Sequence, residues 1–293
     1  MEKKRAIGLM LLAAVCFSLM GFFVKALPEI PSMEKAMYRN LISLIIAFII
    51  IVRENKEKLK KEKINAFKEI LRPKNPVYLF CRVLCGTLGI IFSYYAIDRL
   101  ILSDATVLTK TSPFFTIIFS FVFIREKISK EQLVGLFIAF IGVLFVVKPV
   151  FNVDIMPYLI ALIGALFAGL AYTFLRILGN KGENGSLVVL GFSFFSTVFL
   201  FPFVMTMYVP LDAYSTFIVI LIALSATGGQ FCITNAYKLA PAKEISIYDY
   251  LQVVFTAVLS IVFFMQWPDI FSFVGYGVII GASLWMFKYN TKK

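Results

Sequence analysis

The chain has 293 residues, of which 60% are apolar and 16% charged, and its mean hydropathy is +0.88. These values lie far above those of a soluble globular domain and indicate an integral membrane protein. The sequence contains no histidine, which excludes a Ser-His-Asp triad, a histidine general base and histidine-ligated zinc. Its four cysteines lie in apolar runs without the spacing of a metal knuckle, so we expect neither a metal nor a cofactor.

Apolar windows of about 20 residues, the length that a helix needs to cross the hydrocarbon core, recur along the whole chain. They predict ten helices, near 6–26, 33–52, 76–97, 103–123, 132–147, 157–178, 186–209, 215–237, 244–265 and 271–288. Runs such as LISLIIAFIIIV are apolar on every side, unlike the alternating strands of a barrel. The first run has full spanning length and no cleavage site, so we interpret it as an uncleaved span. Gly86, Gly89, Gly277 and Gly281 predict close approaches between helices.

Lysine and arginine are distributed unevenly over the predicted loops. Alternate loops place 22 of the 29 on one side, 3 on the other side and 4 inside the spans. Because cytoplasmic loops carry the excess of basic residues, we expect a multi-pass protein of the cytoplasmic membrane with both termini in the cytoplasm. Basic loops facing anionic lipid also explain the net charge of +12 without a nucleic-acid partner. The loop at about 53–75 fits either an amphipathic helix on the inner leaflet or a solvated connector.

Two segments of the chain align without a gap at an offset of 140 residues. AIDRLILSDATVLTKTSPFFTIIFSFVF, from Ala96, aligns with AYKLAPAKEISIYDYLQVVFTAVLSIVF, from Ala236, and the matches include Phe115 with Phe255. Identities in apolar sequence arise partly by chance, so the argument depends on the shared order of the spans. Five spans per repeat would place the second repeat in the opposite orientation. We therefore predict an all-α integral membrane fold of ten transmembrane helices in two inverted five-helix repeats, 1–150 and 151–293.

Several segments resemble EamA-type transporters of the drug/metabolite transporter superfamily. They are LSDATVLTKTSPFFTIIFSFVFIREKISKEQLVGLFIAFIGVLFVVKP at 102–149, MYRNLISL in the second span and LFCRVLCGTLGIIFSYYAI in the third. The resemblance covers almost the whole chain and implies a ten-helix transporter of small organic solutes. Many relatives carry a Glu-Pro pair in the ninth span, where this chain has Gln252 and Val253. The coupling role attached to that glutamate therefore does not transfer to this chain.

Four ionisable residues lie deep in the predicted spans: Arg39, Arg82, Lys110 and Asp249. Each is about 8 to 10 Å past the start of its helix, where a charge needs a partner or a cavity. Arg82 and Asp249 share a depth in the inner half, which allows an ion pair. Arg39 and Lys110 would then remain as cations in the outer half and predict a carboxylate- or phosphate-bearing substrate. The alternative is that these two bind backbone carbonyls or headgroups.

Other polar groups in the spans complete a candidate substrate site. They are Tyr95, Tyr172, Gln230, Asn235, Tyr248 and Gln252. Pro113 frees the carbonyl of Thr109, so a kink there is a candidate gate, with a static bend as the alternative. Glu34 and Lys35 lie at the outer start of the second span, where we expect them to snorkel to the interface.

These features predict a secondary transporter that moves a small organic metabolite, such as an amino acid or an organic anion, by alternating access at a central cavity between the repeats. A multidrug or cationic-solute exporter of the same fold is the alternative. An intramembrane lipid-handling enzyme or a channel is more distant, since nucleophile-elbow and filter-like motifs are missing. The expected partners are a small-molecule substrate, the lipid bilayer and a coupling proton carried by Asp249 or Glu244. The oligomeric state stays open.

Overall fold

The computed structural model describes residues 2–56, 70–125, 130–147, 154–239 and 246–292. Over these ranges the chain is helical and contains no β-strand. The α-helices are α1 (Glu2–Lys25), α2 (Ser32–Glu54), α3 (Pro76–Arg99), α4 (Leu102–Thr109), α5 (Ser112–Phe119), α6 (Lys130–Val147), α7 (Met156–Asn180), α8 (Gly185–Met207), α9 (Ala213–Leu239), α10 (Leu251–Phe264) and α11 (Ile270–Lys292). Most of the predicted loop at 53–75 and the candidate proton carrier Glu244 lie outside the described residues.

Seven helical segments are long and apolar enough to cross a membrane. They are Lys4–Lys25, Ser32–Glu54, Pro76–Arg99, Leu102–Ile124, Met156–Asn180, Gly185–Met207 and Ala213–Ile233. Three shorter apolar helices, Leu133–Val146, Tyr248–Phe264 and Ile270–Ala282, occupy the other three predicted positions. The chain is therefore an all-helical, multi-pass membrane protein.

Large apolar side chains cover the outside of the helix bundle. Phe137 is 65% exposed, Phe217 58% and Val258 55%. Lipid tails are as apolar as these side chains, so this surface needs no protein cover. Several polar side chains face inward instead, as in the buried hydrogen bond between Ser43 and Thr227. The interior is therefore where the charged residues of the spans are found.

The helices of the two halves pair in a reciprocal pattern. α1 packs against α9, and α3 packs against α7. α2 packs against α8, α4 against α10, and α6 against α11. We number the apolar segments one to five within each half. Segment one of each half then contacts segment three of the other half. Segments two, four and five each contact the segment with the same number in the other half. Exchanging the halves leaves this pattern unchanged.

Glycines allow the closest of these approaches. A Cβ added at Gly275 would lie 2.8 Å from the carbonyl oxygen of Gly142, and one at Gly142 would lie 3.1 Å from that of Gly275. α6 and α11 therefore meet backbone to backbone. Gly89 also packs against backbone, that of α7. In contrast, a Cβ at Gly277 or Gly281 would meet no atom within 4 Å, so the prediction of close packing at these two residues is wrong.

The fourth apolar segment is interrupted, and the described part of the ninth begins with a turn that is not α-helical. α4 ends at Thr109 and α5 begins at Ser112, with Pro113 in the first turn of α5, where its missing N–H breaks no intrahelical bond. The ninth segment begins as a 3₁₀ turn, Ser246–Tyr250, which continues into α10 at Leu251. At the offset of 140 residues, the end of that turn corresponds to the interruption after α4.

The same two segments end in equivalent conformations. Arg125 has a φ of 60° and Met265 a φ of 52°, and both lie in the left-handed region. The N–H of Arg125 donates to the carbonyl of Ser120, and the N–H of Met265 donates to the carbonyl of Ser260. Both pairs of residues are again 140 positions apart.

Candidate functional site

A cavity of about 160 Å³ lies at the centre of the helix bundle. Its walls come from α1, α2, α3 and α4 of the first half and from α7, α8, α9, the 3₁₀ turn and α10 of the second half. Seven of the residues predicted from the sequence line it: Arg39, Arg82, Lys110, Tyr172, Gln230, Asp249 and Gln252. The structure therefore brings the ionisable residues of four different spans to one place.

Three predicted residues lie outside the lining of this cavity. Tyr95 stacks under the guanidinium of Arg99, whose central carbon is 3.9 Å from the ring centre. Asn235 is exposed and lines a separate pocket that also contains Glu54. Tyr248 packs against a small apolar cluster formed by α1 and α9.

Lys110 and Asp249 form an ion pair in the cavity. The Nζ atom of Lys110 lies 2.6 Å from Oδ2 of Asp249, and the two side chains are 11% and 17% exposed. Asp249 is therefore paired with Lys110 and not with Arg82, the partner that the sequence allowed. That possibility rested on equal distances from the starts of two regular helices. Lys110 instead lies at the break after α4, and Asp249 lies in the 3₁₀ turn that precedes α10.

A second contact joins the 3₁₀ turn before α10 to the break after α4. The hydroxyl of Tyr250 donates to the backbone carbonyl of Lys110 at 3.2 Å. The N–H of Phe114, which would bind this carbonyl in a continuous helix, donates instead to the carbonyl of Thr111. The 3₁₀ turn of the second half thus satisfies a backbone group that the break in the first half leaves open. Lys110 is held by the second half through both its side chain and its backbone.

Arg39 and Arg82 are buried in the cavity wall without an acidic partner. Each is 6% exposed. Nη1 of Arg39 donates to Oδ1 of Asn40 at 2.9 Å, while Nε of Arg39 and both Nε and Nη1 of Arg82 have no hydrogen-bond partner among the described residues. Neither guanidinium is paired with a carboxylate in the described part of the chain. Since Asp249 neutralises only Lys110, the cavity carries an excess of two positive charges.

Phe192 and Tyr94 complete the surroundings of the two arginines. The ring centre of Phe192 is 5.9 Å from the central guanidinium carbon of Arg39 and 4.7 Å from that of Arg82. The hydroxyl of Tyr94 lies in the same cavity, is buried and has no hydrogen-bond partner. Phe192 was not predictable from the sequence, because it is one of many phenylalanines in the apolar run of α8.

A separate charged cluster lies at the predicted outer end of α2 and α3. Lys35 is fully buried, and its Nζ lies 2.5 Å from Oδ1 of Asp98 and donates to the carbonyls of Val24 and Leu27 at 3.0 Å. Glu34 is 1% exposed and accepts a hydrogen bond from the N–H of Val209. The prediction that Lys35 and Glu34 snorkel is therefore wrong. The end of α1, the segment after it and the end of α3 supply the partners of Lys35, and the segment after α8 supplies that of Glu34.

A bundle of apolar helices around one central charged cavity is the architecture of membrane transporters. The model of the EamA-like transporter family matches this chain twice, over residues 4–148 and 155–288. Together these matches cover most of the chain. The chain therefore belongs to the EamA-like transporter family, as the resemblance of its segments predicted.

Full-length relatives support this assignment. The chain is 28% identical over 288 residues to an uncharacterized transporter of Helicobacter pylori (strain J99 / ATCC 700824), covering 95% of this chain and 93% of that protein. It is 27% identical over 280 residues to the pseudopaline exporter CntI of Pseudomonas aeruginosa (strain UCBPP-PA14), with 94% and 93% covered. It is 25% identical over 276 residues to human solute carrier family 35 member G1, with 88% and 72% covered.

The fold also matches a protein of known crystal structure. The TM-score is 0.67, and the match covers 98% of both chains at 14% sequence identity. At this identity the similarity concerns the fold alone. The relatives and the family together identify the chain as a membrane transporter.

Proposed function

We propose that this protein is a secondary transporter of the cytoplasmic membrane that moves a small organic metabolite by alternating access at the central cavity. The observation that carries the proposal is the ion pair that joins the two halves at the cavity, between Lys110 at the break after α4 and Asp249 in the 3₁₀ turn before α10. Interrupted helices at the interface of two repeats form the substrate sites of many secondary transporters. Relative movement of the halves would change the accessibility of a cavity whose walls they share.

The proposed architecture is ten transmembrane helices in two inverted repeats, 1–150 and 151–293. Two matches to one family model, the exchangeable pattern of helix pairs, and the equivalence of Arg125 with Met265 support it. Five spans in each repeat invert the second repeat in the membrane. The distribution of basic residues supports two cytoplasmic termini.

The charge of the cavity distinguishes the candidate substrates. Its excess positive charge disfavours the cationic drugs of the alternative exporter, because a cation would enter without a neutralising group. A lipid-handling enzyme or a channel finds no support among the relatives, which are transporters. A coupling proton, if one is used, is assigned to Asp249, the acidic group in the described lining of the cavity.

Counterflow in proteoliposomes tests the carrier mechanism. Vesicles containing the purified protein are preloaded with unlabelled organic acids or amino acids and then given the same compounds in labelled form. A carrier shows saturable uptake that the internal solute accelerates, whereas linear uptake would identify a channel, and altered solute an enzyme. Lys110→Met should abolish uptake. Arg99→Gln is the control, because Arg99 stacks on Tyr95 outside the cavity lining and should leave uptake unchanged.

A further inference from the structure

Two arginine side chains in the cavity are almost fully buried, although several of their donor nitrogens lack hydrogen-bond partners in the described part of the chain. Burying a guanidinium removes its hydration, and a native structure normally replaces that hydration with hydrogen bonds or an ion pair. Arg82 leaves two donor nitrogens unpartnered and Arg39 leaves one. Both side chains are 6% exposed and line the cavity. A group that supplies negative charge and several acceptor atoms would satisfy them.

The arrangement of these donors suits one small ligand. Both guanidiniums lie near the ring of Phe192, at 5.9 and 4.7 Å from its centre, so a molecule against that ring reaches both. The hydroxyl of Tyr94 adds a third buried donor to the same cavity. Arginine presents a planar fork of N–H groups that matches the oxygens of a carboxylate or a phosphate. The neighbouring Lys110 is already neutralised by Asp249.

We infer that Arg39, Arg82 and Tyr94 form a binding site for a small dianion, a dicarboxylate or a phosphate monoester, with its carbon skeleton against Phe192. The inference rests on the proposed function, since it names the substrate class of the same cavity. Two negative charges are required because two positive charges remain after Lys110 and Asp249 are paired. The pair of anion-binding cations is Arg39 and Arg82, whereas the sequence predicted Arg39 and Lys110.

Ligand-dependent thermal unfolding of the full-length protein in detergent tests this site. The probes are succinate, its monoamide and its diamide, which share a carbon skeleton and carry two, one and no negative charges, together with inorganic phosphate, all at equal ionic strength. A ligand that binds only the folded protein raises its melting temperature. Each lost charge-assisted hydrogen bond weakens binding by about tenfold or more, so succinate should bind at least tenfold more tightly than the monoamide.

Arg39→Gln and Arg82→Gln should each weaken succinate or phosphate binding by about tenfold to a hundredfold. Each should leave the melting temperature of the ligand-free protein unchanged or raise it, because each removes a buried charge that lacks a partner. A structural arginine would instead lower that temperature on substitution. Arg99→Gln makes the same chemical change outside the cavity lining and should bind succinate like the unmodified protein.

Several results would overturn the dianion site. These are equal stabilisation by succinate and its diamide, no stabilisation by either dianion, or unchanged binding in Arg39→Gln and Arg82→Gln. Stabilisation by phosphatidylglycerol in mixed micelles, without an effect of the soluble probes, would assign the arginines to a lipid headgroup and also refute it. Counterflow of a neutral solute without dianion binding would leave the carrier function intact. Dianion binding without counterflow of any tested solute would support the site and contradict the carrier.

Discussion

Lys110, at the break after α4 in the first half, forms an ion pair with Asp249, in the 3₁₀ turn before α10 in the second half. Their charged atoms are 2.6 Å apart, and both side chains are largely buried. The hydroxyl of Tyr250, the residue after Asp249, also binds the backbone carbonyl of Lys110. The two halves of the chain are thus connected by charge and by hydrogen bonding at the cavity. Any motion that separates the halves at the cavity must either break this ion pair or move its two residues together.

We expect single neutralisation of this pair to destabilise the protein more than double neutralisation. Lys110→Met leaves a buried carboxylate and Asp249→Asn leaves a buried ammonium, and losing one partner of a buried pair costs roughly 3 kcal/mol. Lys110→Met combined with Asp249→Asn removes both charges and should recover much of that loss. Denaturant titration of the four proteins in detergent gives the coupling free energy.

Lys74→Met is the control for this cycle, because Lys74 is exposed and its described contact is a hydrogen bond to the carbonyl of Gly182. An exposed substitution of this kind should change the free energy of unfolding by about 0.5 kcal/mol or less. Purely additive losses at Lys110 and Asp249 would show that the pair contributes no coupling. Recovery in the double variant would show that it does.

The sequence predicted the positions of the helices well, because spanning length and apolarity are local properties. Helices occur at all ten predicted positions of the described chain. It also identified Arg39, Arg82, Lys110 and Asp249, because a charge in an apolar span is costly and needs an explanation. These signals depend on the residue itself and its near neighbours.

The pairing of these charges was not predictable in the same way. It depends on the break of the fourth segment at Lys110 and on the 3₁₀ turn that contains Asp249, and neither is a local property of an apolar span. Phe192 gave no signal, because its role depends on which face of α8 meets α2 and α3. Gly275 approaches Gly142 because α6 and α11 cross there, which a count of glycines along one helix does not reveal.

Arg125 and Met265 provide a direct test of inverted topology. They end equivalent segments in the same left-handed conformation, and both are exposed. If the repeats are inverted, Arg125 faces the cytoplasm and Met265 the outside. In a background without Cys16, Cys81 and the other two cysteines, Met265→Cys should react with an impermeant maleimide added to intact cells.

Arg125→Cys is the matched variant and should react only after the cells are opened. Both positions are the left-handed end of a helix, so their intrinsic reactivity should be similar. Labelling of both from the outside, or of neither, would contradict the inverted arrangement. Labelling in the reverse order would keep the inversion and overturn the assignment of both termini to the cytoplasm.

Alanine substitution should separate packed from unpacked glycines on α11. A Cβ at Gly275 would lie 2.8 Å from the carbonyl oxygen of Gly142 and 2.6 Å from Cγ2 of Val146. Gly275→Ala must therefore push α6 away from α11, and overpacking of this kind costs about 1 to 3 kcal/mol. Gly277→Ala is the matched control, since its Cβ would meet nothing within 4 Å. Equal unfolding free energies for both variants would contradict the backbone contact between these helices.

The pair of Lys35 and Asp98 should behave differently from that of Lys110 and Asp249 in transport. Lys35 lies on α2 and Asp98 on α3, so both belong to the first half and their pair can stay closed while the halves move. Lys35→Met alone leaves two backbone carbonyls without their donor and Asp98 with only the hydroxyl of Ser32 among the described hydrogen bonds, and should destabilise the protein by roughly 3 kcal/mol. Lys35→Met with Asp98→Asn should fold better than that single variant.

In proteoliposomes, this double variant should transport at a rate close to that of the unmodified protein. The double variant of Lys110 and Asp249 should transport much more slowly, because this pair joins the moving halves at the cavity. Both double variants keep the net charge of the unmodified protein. Rates are compared per folded protein, measured by the monodisperse peak in size-exclusion chromatography. Equal loss of transport in both double variants would mean that the pair of Lys35 and Asp98 also changes during the transport cycle. The boundary between the moving parts of the protein would then lie within the first half.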